Sequence, residues 1–360
     1  MFSSVGGPLP KTFAVFCLTL LSFVPGTSGA DGPQQPIAPP EDFTLMGDWE
    51  GQWQNPQRGH EVLRPELAAQ LIYLDQGKCR IQFLPKLYSR ARPYLEVNTQ
   101  VQDSRIQWQG NGWRVDFQNG RCSGTGVLHG QQTQFELKHV VKLSPTLGQK
   151  PPADAVVLFD GSDFDQWSHN GGQAVTWRLL DGGVMETVTQ YGEGGKAKGG
   201  ELGGSIFSKQ KFGDLRLHVE FRYAIEPGKT GQSRGNSGIL LQGVGEVQIL
   251  NSYGLPGYWD ECGAIYKRQP PTVNAAGPPL QWQTYDIELR LPRDEPNANG
   301  KRRVACLSVR LNGHVIHNNV ELPSAVRGGI VIGLQDHINP IQFRNIWVQH
   351  LAHSPRQSNT

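Results

Sequence analysis

The 360 residues carry 34 Lys and Arg against 32 Asp and Glu, a formal charge of +2. A chain so evenly balanced offers no electrostatic footprint for nucleic acid. Charged residues make up only 18%, while Gly (44) and Pro (25) are abundant, which argues against long helices and for many short strands joined by turns.

The chain opens on a segment whose only charge is Lys11. An apolar run from Phe13 to Val24 follows, and then Gly26-Thr27-Ser28-Gly29-Ala30. That is the order of a secretory signal peptide, with cleavage expected near Ala30 and a secreted or periplasmic destination. At about 12 residues the run is short for a bilayer, and an uncleaved anchor is the alternative. No other long apolar run occurs, so the mature chain is expected to have no membrane span. Residues 31–41, rich in Pro and polar residues, read as a linker.

Residues 42–144 read as a small β-rich domain. Asn111-Gly112 and Asn119-Gly120 flank the alternating Trp113–Phe117, and each pair favours a tight hairpin because Asn and Gly tolerate positive φ. Gln134–Val140 continues the alternation, and a small antiparallel sheet or barrel is expected. Ser144–Pro152 marks the boundary, with 145–152 as a linker.

From 153 to 352 the period-two signal is clear. In Leu215–Tyr223 the odd positions are apolar and the even ones polar, and Thr284–Leu291 repeats the pattern. Val304–Leu311 runs through Asn312-Gly313 into His314–His317, a hairpin signal. Ile330–Leu334 and Gln342–Val348 supply the last strands, and 353–360 reads as a disordered tail. Strands without intervening helices predict an all-β sandwich or jelly roll. Cys17 falls in the signal segment. Cys79, Cys122, Cys262 and Cys306 could pair after export or stay buried as thiols. No Cys/His spacing suggests zinc.

The second half resembles the family once called DUF1080, described as 3-keto-disaccharide hydrolases or 3-keto-glucoside lyase/hydratases. The matching pieces are Leu158-Phe-Asp-Gly161 with Trp167, Phe212-Gly-Asp214 before Glu220-Phe-Arg222, Gly235-Asn-Ser-Gly238, Glu246-Val-Gln-Ile249 with Tyr253-Gly254, Cys262-Gly-Ala-Ile-Tyr266, Trp282-Gln-Thr-Tyr-Asp286, Leu334-Gln-Asp-His337 and Phe343-Arg-Asn-Ile-Trp347. They follow the family's order. The resemblance implies a concanavalin-like jelly roll whose concave sheet face holds a sugar, preceded here by the small antiparallel β domain. Asn251 and Ile338 depart from the family's usual Asp and Gly.

Several residues become candidates in that light. Glu246 and Gln248, two apart on a strand, share a face, and a carboxylate beside an amide can hold hydroxyls or move a proton. Glu220 and Arg222 have the same spacing and form either an ordinary ion pair or a cleft wall. Glu220 and Glu246 are the evident pair of carboxylates for acid–base work. Gln335 and His337 read as one strand face, with His337 a second candidate acid or base and Asp336 turned away to tie a loop. Asn236 presents its amide or merely closes a turn. Tyr266 and Trp282 are sugar platforms or core aromatics. Arg222, Gln248, Gln335 and Arg344 are expected to hold hydroxyls and an enolate oxygen. Gly192–Gly204 lacks the features of a phosphate cradle and reads as a loop at the cleft rim.

The resemblance implies an oxidised glycoside as the sugar substrate, acted on by β-elimination and hydration. No redox cofactor is called for, and a structural or catalytic metal stays open. A non-catalytic carbohydrate-binding module and an envelope interaction protein are the competing readings.

Overall fold

The computed structural model describes residues 41–54, 57–58, 61–62, 65–188, 204–292, 304–337 and 339–352. The predicted signal and cleavage site, residues 31–40 of the predicted linker, residues 192–203 of the glycine-rich loop, Ile338 and the tail 353–360 lie outside the described residues. The chain divides into compact units 1–37 and 38–360, and every described residue belongs to the second.

The protein is all-β, with 50% strand and 2% helix. A short 3₁₀ turn, Glu41–Leu45, leads into β1 (Gly47–Trp53), a two-residue ladder β2 (Gln57–Arg58) and β3 (Glu61–Val62), then β4 (Glu66–Asp75), β5 (Lys78–Leu84), β6 (Leu95–Gln100), β7 (Ile106–Gly110), β8 (Trp113–Gln118), β9 (Arg121–Leu128) and β10 (Gln131–Val140). The strand order β6-β5-β4-β1-β10-β9-β8-β7 places the consecutive β6 and β7 at the two ends of one antiparallel sheet. A single bridge, Gln102 with Arg105, links the chain between them, so the order reads as an up-and-down barrel. Asn111-Gly112 and Asn119-Gly120 turn with positive φ at both residues, as their chemistry requires. Gln76-Gly77 and His129-Gly130 do the same, without the Asn that would have announced them.

Trp49, Trp53, Phe83, Trp113, Phe117 and Phe135 pack together inside this sheet. A Cβ on Gly126 would lie 2.6 Å from the Trp113 ring. Among the described residues the interior is therefore filled by side chains.

The remaining strands are β11 (Val156–Phe159), β12 (Trp167–His169), β13 (Arg178–Leu180), β14 (Val184–Glu186), β15 (Ile206–Ser208), β16 (Leu215–Tyr223), β17 (Ser237–Leu241), β18 (Gly245–Ile249), β19 (Gln283–Arg290), β20 (Ala305–Leu311), β21 (His314–Leu322), β22 (Ile332–Leu334) and β23 (Ile341–His350). They build a jelly-roll sandwich. The larger sheet runs β13-β14-β23-β16-β19-β20-β21, with β11 also on β23, and the smaller runs β12-β15-β22-β17-β18. One apolar core fills the space between them, with Leu217, Val219, Phe221, Ile287 and Leu289 from one sheet and Ile239, Val247, Ile249 and Leu334 from the other.

The segment read as a linker after Ser144 lies on the outward face of the larger sheet. Ser144 and Thr146 hydrogen-bond to Thr284, Thr146 Oγ1 donates to Asp286, and Gly148 N donates to Glu220. The barrel also seats on sandwich loops. Tyr253 Oη donates to buried Asp48 of β1 at 2.7 Å, and Met46, Ile72 and Tyr253 form a small apolar cluster. Burial outweighs the donors from Gln70, Tyr253 and Tyr88, and the Asp48 carboxyl is raised. Among the described residues no disulfide forms, and Cys79, Cys122, Cys262 and Cys306 are all buried. No helix among those residues is long and apolar enough to cross a membrane.

Candidate active site

Strand parity decides which side chains meet. In β18, Val247 and Ile249 enter the core, so Glu246 and Gln248 face outward from the smaller sheet. The register places Gly238 opposite Gln248 and Leu240 opposite Glu246. Across the next ladder Gly333 lies opposite Leu240, and Gln335 N donates to Gly238 O. A row Gln335–Gly238–Gln248 thus crosses three chain segments, with no side chain at its centre.

Glu246 leans into that gap. A Cβ on Gly238 would collide with its Oε1, and a Cβ on Gly333 would meet the Phe207 ring at 2.8 Å. The two glycines therefore give the face a low floor with a carboxyl above it. Burial pushes the Glu246 carboxyl up to about 7. Gln335 Oε1 is buried and has no hydrogen-bond partner among the described residues. Tyr266 N donates to Glu246 O, which places Tyr266 on the outer edge of β18, half-buried. β22 ends at Leu334, so His337 sits beyond the strand on an exposed coil rather than on a strand face with Gln335. Partial burial draws its imidazole below the ordinary value. Asp336 takes the Gly204 N–H at 2.7 Å, and burial pushes its carboxyl up to about 6 against the pull of Gly204 and His169.

Gln248 and Asn236 are nearly inaccessible, at 1% and 3% exposure. Asn236 Nδ2 donates to Gln232 O, and its backbone N–H goes to Asn339 Oδ1. Gln248 Nε2 donates to Gln232 Oε1 and Asn236 Oδ1 in one amide orientation, and to Glu246 Oε1 at 3.1 Å and Ser237 O in the other. The expectation that these amides hold a sugar is corrected accordingly: both are committed to an internal network beneath the face. Gly235 starts this motif at φ +58, where a Cβ would press on Tyr223 and Asn251 at 3.0 Å.

Glu220, Arg222, Trp282 and Arg344 are elsewhere. In β16 the core takes Val219, Phe221 and Tyr223, so Glu220 and Arg222 leave by the outward face of the larger sheet, across the core from Glu246. The structure does not bring Glu220 and Glu246 together as a pair. Glu220 is wholly buried and accepts from Gly148 N, Asn345 Nδ2 and Arg344 Nε at 2.6, 2.8 and 2.7 Å. Burial pushes this carboxyl up, but donors from His218, Asn345, Arg344 and Gly148 prevail and bring it down to about 2. Arg222 and Arg344 lie over the Trp282 ring at 4.7 and 4.1 Å from its centroid, so cations occupy that ring instead of a sugar.

Sequence reasoning missed Gln232, Tyr258 and Trp259. Gln232 sits in a short 3₁₀ turn, Gly231–Ser233, and links Gln248 and Asn236 to the Asp260 carbonyl. Tyr258 and Trp259 are 56% and 49% exposed in the neighbouring loop. Two adjacent aromatics in a Pro-Gly loop were the available signal.

The protein is thus a jelly-roll sandwich whose smaller sheet carries a near-neutral carboxyl above a glycine floor. The chain belongs to the 3-keto-alpha-glucoside-1,2-lyase-like domain family, whose model matches residues 154–349. Two solved structures from Parabacteroides distasonis ATCC 8503, provisionally assigned as glycosyl hydrolases, are similar to it. One has 36% identity over 56% of this chain and 86% of its own, with a TM-score of 0.47. The other has 18% identity over 55% and 94%, with a TM-score of 0.38. A Bacillus licheniformis β-glucanase has 13% identity over 56% of this chain and 100% of its own, with a TM-score of 0.32. None of the curated proteins matches the chain. Membership makes this a carbohydrate-active protein. Among the described residues no group of three or more His, Cys, Asp and Glu is placed to hold a metal ion.

Proposed function

We propose that the sandwich cleaves 3-keto-glycosides by β-elimination and hydration, with Glu246 moving the proton at C2. The observation that carries this reading is the Glu246 carboxyl over Gly238, raised to about 7 by burial. A group poised there is a competent base and, once protonated, a competent acid near neutral pH.

The C3 ketone makes the C2 hydrogen acidic. Glu246 takes that proton, the electron pair of the broken C–H bond forms the C1–C2 double bond, and the C1–O bond breaks. The proton taken by Glu246 passes to the leaving oxygen as it departs. Water then adds across the double bond of the 3-keto-2-hydroxyglucal, so the net change is hydrolysis. Gln335 and His337 are the side chains assigned to the substrate oxygens, where the developing enolate needs donors. Gln248 orients Glu246 from below.

The test is an aglycone-release assay on a 3-keto-glucoside, with the unoxidised glucoside as control. Release from the keto-sugar that disappears in Glu246→Gln supports the reading. A wild type that binds the keto-sugar and releases nothing turns it into a binding module. We also propose export with cleavage near Ala30. Sequencing the N-terminus of secreted or periplasmic protein checks this, and intact Met1 on cytoplasmic material refutes it.

A further inference from the structure

We propose that Arg90, on the barrel, is a positioning residue for this site, tying shut the neck of a sandwich loop that borders Glu246 and carries Tyr258 and Trp259. The kinetic part rests on the function proposed above, while the structural part does not.

Arg90 lies in the segment between β5 and β6. Its Nε donates to Thr272 O at 3.0 Å, Nη1 to Pro256 O at 3.0 Å, and Nη2 to Gly257 O at 3.0 Å and to Pro271 O. Two of these carbonyls belong to the segment entering the loop and two to the segment leaving it. Pro256 and Pro271 have no N–H, so at those positions the neck cannot zip itself with backbone hydrogen bonds. A planar guanidinium with five fixed donors can satisfy both arms at once, whereas an ammonium is a single point. Asn274, two residues beyond Thr272 on the leaving arm, supplies a second tie across the neck, to Ser252 O and Leu255 O of the entering arm, so Arg90 adds to that closure from the barrel side.

The body of the loop is continuous with the site. Glu261 takes the N–H groups of Gly257 and Tyr258 at 2.6 and 2.9 Å and so folds the exposed aromatics into a turn. The Asp260 carbonyl takes the Gln232 amide. Gln248 N donates to Ala264 O, Gly263 N to Gln248 O and Tyr266 N to Glu246 O, each at 2.9 Å. Lys267 N returns to Trp259 O at 3.0 Å. The loop is thus the outer border of β18, and its neck is held from the barrel. Two half-exposed aromatics on that border suit the apolar face of a pyranose.

Hydrogen exchange on the full chain, together with kcat and KM on a 3-keto-glucoside, tests the assignment in Arg90→Ala, Arg90→Lys and Trp259→Ala. Exchange at 257–268 should rise about ten-fold in Arg90→Ala while the barrel strands stay protected. KM should rise about five-fold with kcat within about two-fold, because the border and not the proton transfer is loosened. Trp259→Ala should raise KM similarly, and adding Arg90→Ala should raise it little further. Arg90→Lys should fall between, since one ammonium serves one arm, and it decides the matter if Arg90→Ala does not fold. Unchanged loop exchange in either folded variant, or a loss of kcat at constant KM, overturns the proposal. An inactive wild type defeats the proposed reaction, and the exchange result still decides the tether.

Discussion

Glu246 and Glu220 are the same side chain on the two outward faces of one sandwich, and their proton affinities lie far apart. Glu220 is the less exposed to solvent, yet its carboxyl is drawn down to about 2, while that of Glu246 rises to about 7. The difference is in the donors. A backbone N–H, an Asn amide, a guanidinium and a histidine converge on Glu220. Glu246 has burial without such a ring, and its one close amide, on Gln248, has other partners. Depth alone therefore says little about a carboxylate; the count of donors facing it says more. One face uses its carboxylate to fasten a strap, and the other keeps one available for a proton.

The largest expected effect sharpens that contrast. Glu246→Gln should lower turnover by about a hundred-fold or more, with sugar binding changed far less, measured by single-turnover release and by titration calorimetry. Equal losses in both would return Glu246 to a simple binding contact. Glu220→Gln should do the opposite. It removes the charge facing Arg344 and sets an NH₂ against other donors, which costs about 3 kcal/mol in denaturant unfolding, with kcat per folded molecule kept. Lost activity at full stability would break the comparison.

The pH dependences should diverge as well. Glu246 acts as base when ionised, so kcat/KM should climb with pH and level off above about 7. In stability the signs are opposite. The Glu246 carboxyl has a raised folded pKa, so its contribution is full below the ordinary value of 4.5 and is lost as pH rises through about 7. The Glu220 carboxyl has a lowered one, so its contribution is present above 4.5 and is lost as pH falls toward about 2. Melting curves of wild type, Glu246→Gln and Glu220→Gln across pH 3 to about 8 should separate the two. The smallest effect is expected from His337→Ala. An exposed imidazole beyond the strand end should cost less than about ten-fold in kcat, and a larger loss would move the proton transfer to His337.

Much of this molecule follows from sequence alone. The alternation in Leu215–Tyr223 and Trp113–Phe117, and the Asn-Gly pairs at 111, 119 and 312, are local rules of strand and turn, and each holds in the fold. Glu246-Val-Gln248 needed only a period of two to share a face. The motifs in family order led to the family whose model spans 154–349. What sequence could not decide was which outward face belongs to which sheet. Period two says that Glu220 and Glu246 both leave the core, but not that they leave on opposite sides, because that depends on the order in which distant strands pair. It could not say that Ser144–Gln149 would cover one face and give Glu220 a donor. Nor could it say that Gly238, by lacking a side chain, would let Glu246 lean into the gap it leaves. Those outcomes come from contacts between residues far apart in the chain, where burial and donors are assigned only once the sheets close on one core.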